Sequence, residues 1–449
     1  MQPLSGEGRQ LALSLQRGVG LLEPIRTGLE WARSTAAGPT ILILSLATVL
    51  SACSDPGPTL SSEGRVFRQM DDFLGGYWQR PIPLQGSPPD TFSPLDTSLD
   101  PATCGNCHPQ QYADWQTTVH SGAYSPGLSG QLVNWEANSY QFVRDCLVCH
   151  APLSEQSAQV PDTSGTLVSN PYFDSSLQHR GLVCAACHVR GWNRYGPPRR
   201  DGSVEPSPAG SPHGGVTRTP FFEDSRFCAG CHQFEFPAPN GKSLQNTYSE
   251  WASSRYAAEG IGCQDCHMPD RRHLWRGVHD STMVRNGVTI ELTKDVSDGV
   301  ALRVTNSGTG HRFPTYVTPE IWLRIELLDS ERRAMDGATV ELPLRRVVGS
   351  GSGGWTEVSD TRLPPDSSVT LTVAVDQSDA RFARGTVTVY PDVFYEGQFW
   401  GMLLQELSDT SRALISEAHR RAGASVMVIY DETVPVGRAD SGCGANCNQ

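Results

Sequence analysis

A chain of 449 residues is long enough for two or three domains, yet its 38% hydrophobic content is modest for that many cores. The formal charge of −12 argues against a nucleic-acid partner, whose phosphates require a basic face. Of the 36 basic residues only Lys242 and Lys294 are lysine, so cationic contacts fall almost entirely to arginine. Its planar fork pairs bidentately with carboxylates, although a GC-rich genome produces the same bias.

Residues 1–53 read as a lipoprotein-type signal segment. An apolar run from Ile41-Leu42-Ile43-Leu44 through Val49-Leu50 follows Arg26 and Arg33 and ends at Leu50-Ser51-Ala52-Cys53. The run is too short to span a membrane. Cleavage before Cys53 makes that thiol the lipidation site and tethers a soluble body to a membrane. The stretch ahead of the run is long for a leader, and a buried apolar helix is the competing reading. Ser54 after the cysteine resembles enteric lipoproteins sorted to the outer membrane. The expected location is outside the cytoplasm: periplasmic or outer-membrane, including the cell surface. Residues 54–100, with Pro56, Pro58, Pro81, Pro83, Pro88, Pro89 and Pro94 among Ser, Gly and Asp, read as a linker lifting the body off the membrane.

Region 101–284 carries five copies of Cys-x-x-Cys-His: Cys104/Cys107/His108, Cys146/Cys149/His150, Cys184/Cys187/His188, Cys228/Cys231/His232 and Cys263/Cys266/His267. Chance at this composition supplies about 0.01 such motifs. Zinc pairs or disulfides use Cys-x-x-Cys but do not require the following His each time. The pattern is that of c-type haem attachment: two thiols bond the macrocycle and the His is the proximal iron ligand. Five haem c groups in so short a region must supply much of its interior, so short helices and long loops are expected. Arg190, Arg271 and Arg272 are candidate partners for haem propionates.

Seven histidines remain, and five would give every iron a second axial ligand, so the count does not decide whether one haem keeps an open face. His120 closely follows the first motif, and His273 and His279 follow the fifth. His213 precedes the fourth motif and is preferred to His179, which precedes the third. His311 lies in a Gly-rich turn, Asn306-Ser307-Gly308-Thr309-Gly310-His311-Arg312-Phe313, from which a loop can deliver an imidazole to a neighbouring region. His419, in Glu417-Ala418-His419-Arg420-Arg421, reads as part of a solvated helix face.

From 285 to 435 the pattern changes to alternation, at 288–292, 301–304, 320–325, 369–373, 385–389 and 426–430, which argues for an antiparallel β-sandwich. A helical insertion precedes the last strand, with Trp400, Leu403, Leu404 and Leu407 on one face and a break at Ser408-Asp409. The fold class is therefore α+β: a haem-packed, mainly α region followed by the sandwich. Residues 436–449 read as a flexible tail in which Cys443 and Cys447 form a local disulfide in an oxidising compartment.

The Trp115-to-His120 segment, the Cys266-His267-Met268-Pro269 stretch and the Gly310-His311-Arg312-Phe313-Pro314-Thr315 loop resemble the multihaem c-type cytochromes of anaerobic nitrogen and sulfur respiration. The likeness covers roughly 101–320 and implies stacked haem pairs, mostly bis-His, passing electrons in a chain between redox partner proteins. All five motifs end in His, unlike the Lys-ended motif of nitrite reductases, and no catalytic residue set is evident. The expected function is electron transfer by an exported, lipid-anchored cytochrome. The alternative is a reductase of a small nitrogen or sulfur oxyanion at one open-faced haem.

Overall fold

A computed structural model of the chain describes residues 71–436, apart from 136–139, 209, 236–239, 295–298 and 376–378. Cys53 with the signal segment, Cys443 and Cys447 lie outside the described residues. The chain divides after Asp72, and the fold described below belongs to the unit beginning at Phe73.

The first half is built from short helices. They are α1 (Pro101–Gly105), α2 (Pro109–Gln116), α3 (Pro126–Trp135), α4 (Tyr140–His150), α5 (Ser175–Gln178), α6 (Cys184–His188), α7 (Arg226–His232), α8 (Thr247–Ala252), α9 (Arg255–Ala258), α10 (Cys263–His267) and α11 (Ser281–Gly287). Local capping explains several of their starts. Asp100 accepts from Ala102 N ahead of α1, Asp174 from Ser176 N and Leu177 N ahead of α5, and Asp280 from Met283 N ahead of α11. Four of the five motifs end a helix at their histidine: α4, α6, α7 and α10. Helical spacing of i, i+3 and i+4 puts both thiols and the imidazole on one face. Small ladders fill the connections: β1 (Gln159–Pro161) with β2 (Leu167–Ser169), β3 (Val189–Arg190) with β4 (Asn193–Gly196) and β5 (Thr217–Arg218), and β6 (Gln233–Glu235) with β7 (Ser243–Asn246).

The apolar clusters of this half are small. One joins Ile82, Leu153, Leu177, Val183 and Val189, and another Tyr124, Leu132, Tyr140, Val143 and Leu147. The first corrects the expectation of a linker at 54–100 over its described part. Ile82 is 1% exposed and bridges Leu153, Tyr77 is buried and donates to Cys187 O, and Trp192 Nε1 donates to Gly86 O. Proline-rich backbone is extended but not thereby loose, and isolated apolar side chains pin it to the body.

The second half follows the alternation. A four-stranded antiparallel sheet orders β11 (Ala334–Leu344), β10 (Glu320–Leu328), β15 (Phe382–Tyr390) and β16 (Met427–Pro435). A three-stranded antiparallel sheet orders β14 (Ser368–Ala374), β9 (Gly299–Thr305) and β8 (Thr289–Lys294). Inward residues of both, Ile321, Leu323, Ile325, Val387 and Val389 from one and Val300, Leu302 and Val304 from the other, form a single core. Every second residue pointing inward is the period-two signature. Strands β12 (Arg346–Gly351) and β13 (Gly354–Asp360) make a separate hairpin.

Three features lock this half onto the first. The hairpin contributes Arg346, whose guanidinium donates to Leu244 O and Ser243 O of the first half. Helices α12 (Val393–Leu403) and α13 (Asp409–Ala424), inserted between β15 and β16, pack on α3: Gly127 and Gly130 make room for Phe399 and Ile415, and Ser411 Oγ donates to Gly130 O at 2.7 Å. Third, the 306–316 loop enters beside α8. Glu250 accepts from Arg312 N at 3.1 Å and forms a buried ion pair with Arg362, whose side chain is 3% exposed and also grips Asp360. Among the described residues no helix is long and apolar enough to cross a membrane.

Candidate haem sites

Three of the five motif histidines share one hydrogen-bond arrangement. Nδ1 of His150 meets Ala123 O at 2.8 Å, that of His188 meets Tyr195 O at 2.8 Å, and that of His267 meets Arg276 O at 2.7 Å. His232 Nδ1 instead faces the Gln245 side-chain amide at 3.1 Å. A carbonyl can only accept, so in His150, His188 and His267 Nδ1 carries the proton and Nε2 presents its lone pair, the tautomer that ligates a metal. The same holds for His273 on Arg271 O and His311 on Arg312 O. Burial keeps these rings neutral: His188, His232 and His311 are each pushed down to about 4, and His120 to about 3.

Three non-motif histidines are each brought to a motif histidine. Ring centroids of His120 and His232 lie 6.2 Å apart, those of His188 and His273 6.2 Å, and those of His267 and His311 6.4 Å, the last pair within 10° of parallel. A metal–imidazole bond is about 2.0–2.1 Å, so two imidazoles trans across one iron stand with centroids roughly 6.4 Å apart. The three separations fit that requirement. His213, held in a left-handed conformation at φ 45°, is an electrostatic neighbour of His108.

The other three histidines are engaged elsewhere. His279 Nε2 lies 2.9–3.0 Å from both carboxylate oxygens of Asp392, so the ligand expected after the fifth motif is instead tied to the start of α12. His179 Nδ1 meets Ser175 O, and its ring rests on Tyr124. His419 contacts Trp400. Among the described residues, no second imidazole stands opposite His150 at the separation of the three pairs.

The thiols show how the motifs are arranged. Cys104 neighbours Cys184, Cys149 neighbours Cys231, and Cys228 neighbours Cys263. The first motif therefore adjoins the third, the second adjoins the fourth, and the fourth adjoins the fifth. Cys187 is also an electrostatic neighbour of Cys228 and Cys231, which brings the third motif to the fourth.

The arginines named as propionate partners are largely taken by protein acceptors. Arg190 lies 3.8 Å over the Tyr77 ring and donates to Tyr77 O, Ala186 O and Val189 O, Arg271 pairs with Glu223, and Arg272 clamps Asp114. Buried donors do remain: Arg190 Nη2 and Arg218 Nε have no protein partner, which fits an additional anionic acceptor.

Second-layer residues hold the paired imidazoles, and sequence reasoning missed them. Asp114 on α2 accepts from Arg272 at 2.6 and 2.7 Å and from His273 N at 3.1 Å, fixing the loop that carries His273. Glu250 does the same for the His311 loop. Their signal lies only in contacts between distant segments.

Residues 103–189, which span the first three motifs, match the family model described as cytochrome c554 and c-prime. The fold is similar to the crystal structure of a penta-heme cytochrome c552 from Thermochromatium tepidum, at TM-score 0.51 and 18% identity over 76% of this chain and 100% of that one. No curated protein matches the chain. Together with the repeated motif, these likenesses support a multihaem c-type cytochrome of mixed α+β fold that binds haem c and transfers electrons.

Proposed function

We propose that the chain carries five haem c groups, one per motif, and conducts electrons between redox partner proteins. The ten motif thiols are the attachment points and His108, His150, His188, His232 and His267 the proximal ligands. His120 is assigned opposite His232, His273 opposite His188, His311 opposite His267, and His213 opposite His108. The observation that carries this reading is the 6.2–6.4 Å spacing of three imidazole pairs from distant parts of the chain.

When bound, haem supplies one-electron iron chemistry. The chain's part is to hold the tautomer through Nδ1, to clamp ring orientation through Asp114 and Glu250, and to set the motifs side by side in the order first, third, fourth, with second and fifth on either side of the fourth. The two sheets of the second half, read as a β-sandwich, deliver His311. Export and a lipid anchor at Cys53 complete the proposal.

The test is a haem count by alkaline pyridine spectroscopy joined to electron paramagnetic resonance of the oxidised protein. Five haems per chain, predominantly low-spin, are expected. Fewer than five, or a mainly high-spin spectrum, would overturn the ligand assignment. One observation favours a second reading alongside transfer, a reductase site. Among the described residues no imidazole stands 6.2–6.4 Å from His150, which favours the second haem as the candidate for an open face toward a small nitrogen or sulfur oxyanion.

A further inference from the structure

Trp275 follows the fifth motif at φ 39°, a left-handed conformation that a bulky side chain holds only where the surroundings impose it. Its backbone N donates to His267 O at 2.9 Å. Its indole makes T-shaped contacts with two histidines: His120 at 4.8 Å between centroids and 61°, and His273 at 5.0 Å and 82°. These are the imidazoles assigned opposite His232 and His188. One ring therefore seats a ligand of the fourth motif's haem and a ligand of the third's.

The two ligands differ at their second nitrogen. His273 Nδ1 meets Arg271 O at 3.1 Å, and His188 Nδ1 meets Tyr195 O at 2.8 Å. The fifth motif's pair has the same provision, His267 on Arg276 O and His311 on Arg312 O. His120 Nδ1, by contrast, is buried with no hydrogen-bond partner among the described residues, and protein atoms alone close over it. Only its backbone is tied down, His120 O accepting from Ala123 N and Leu182 N. Opposite it, His232 Nδ1 faces Nε2 of the Gln245 side chain on β7 at 3.1 Å. The fourth pair thus lacks the two backbone carbonyls that the third and fifth pairs possess.

We propose that the haem at the fourth motif has the most positive reduction potential of the three with paired imidazoles, because the Trp275 ring seats His120 without offering its Nδ1 an acceptor. An Nδ1–H···O=C bond pushes electron density into an imidazole and makes Nε2 the stronger donor, which stabilises ferric iron. Where that bond is missing, the ferrous state gains. The inference rests on the ligand assignment above and deepens it by giving the relay a resting place. That place is central: Gln264 on α10 donates to Phe222 O and Asp224 O just ahead of α7, while Trp275 joins the fourth pair to the third. One electron passes from a ferrous neighbour to the ferric iron here, oxidising the first and reducing the second, with no bond made or broken.

The experiment is a redox titration of the full-length holoprotein followed by electron paramagnetic resonance. His120→Ala, His273→Ala and His311→Ala should each remove one low-spin signal and so assign the fourth, third and fifth haems. In wild type the fourth is expected to be reduced first, by at least about tenfold in the equilibrium, which is about 59 mV for one electron. Gln245→Glu gives His232 Nδ1 an anionic acceptor and should lower that potential alone. Trp275→Asn suits the left-handed backbone, removes the ring and opens His120 to water. It should lower the fourth potential with five haems retained, and the third, whose ligand keeps Arg271 O, should shift less. A fourth haem reduced with or after the other two overturns the proposal, as does a Gln245→Glu variant that leaves its potential unmoved. An unchanged fourth potential in Trp275→Asn overturns the part given to the indole. Alanine variants that remove no low-spin signal overturn the ligand assignment itself, and this inference with it.

Discussion

Asp114→Asn separates the electrostatic work of the α2 clamp from its shape. The Asp114 carboxyl is held at about 2, against an ordinary 3.8, chiefly by hydrogen bonds from Arg272. At about 1.4 kcal/mol per pH unit the gross contribution is roughly 2.5 kcal/mol. The Arg272 side chain is 44% exposed, so solvent screening reduces the net value to about 1–2 kcal/mol. The folded-state value is depressed, so this stability is fully present above about pH 4 and is lost as pH falls toward 2. Urea unfolding of wild type and variant at a series of pH values should show a gap of about 1–2 kcal/mol at pH 6 that holds to about pH 4 and then closes. The variant should also broaden the low-spin signal of the His188–His273 pair, because His273 N loses a charged acceptor. A gap that stays the same from pH 6 to pH 2 would refute the electrostatic account and leave only packing.

Replacing His311 with Ala should turn one haem in five from low to high spin, whereas His279→Ala should leave the spectrum unchanged; the pair of spectra checks both assignments. Gly308→Ala drives a methyl into the Asn286 carbonyl, and the loop must shift. A loss of about 1–3 kcal/mol in unfolding stability is expected, with partial loss of the low-spin signal that His311→Ala abolishes. Glu250→Ala strands the buried Arg362 guanidinium and should cost about 3–5 kcal/mol in the same unfolding assay, moderated by the remaining Asp360 partner. Cys104→Ser with Cys107→Ser should lower the haem count by one in pyridine spectroscopy and by the mass of one haem.

What could be read from sequence was what is local. The five motifs declare themselves within five residues each, and the strands 299–305, 320–328, 368–374 and 382–390 fall where the alternation is cleanest. Strands β11 to β13 were not foreseen, because Gly337, Pro343, Gly349 and Gly351 interrupt their pattern; partners across the ladder, not intrinsic preference, hold them extended. Axial pairing was legible only as a count. His279 stands close to the fifth motif in sequence, yet the backbone turns at Asp280, the cap of α11, and presents it to Asp392. His311, the farther residue, is the one whose ring faces His267. Proximity along the chain carries little information where loops are long and the interior is assembled from many segments.

The same interleaving bears on how such a protein is made. His120 emerges well before His232, His188 before His273, and His267 before His311, so each of these paired sites waits for a second imidazole from a later stretch of chain. On the ligand assignment above, thioether bonds can form motif by motif, but six-coordination is completed only once the last sheets have closed and loop 306–316 has docked. A nascent or prematurely terminated chain would thus carry reactive five-coordinate iron. The tight docking of the C-terminal half on Glu250 and α3 then acts as a proofreading step: a spectrum with its full complement of low-spin pairs reports that the entire polypeptide, and not just the part bearing the motifs, has reached its final form.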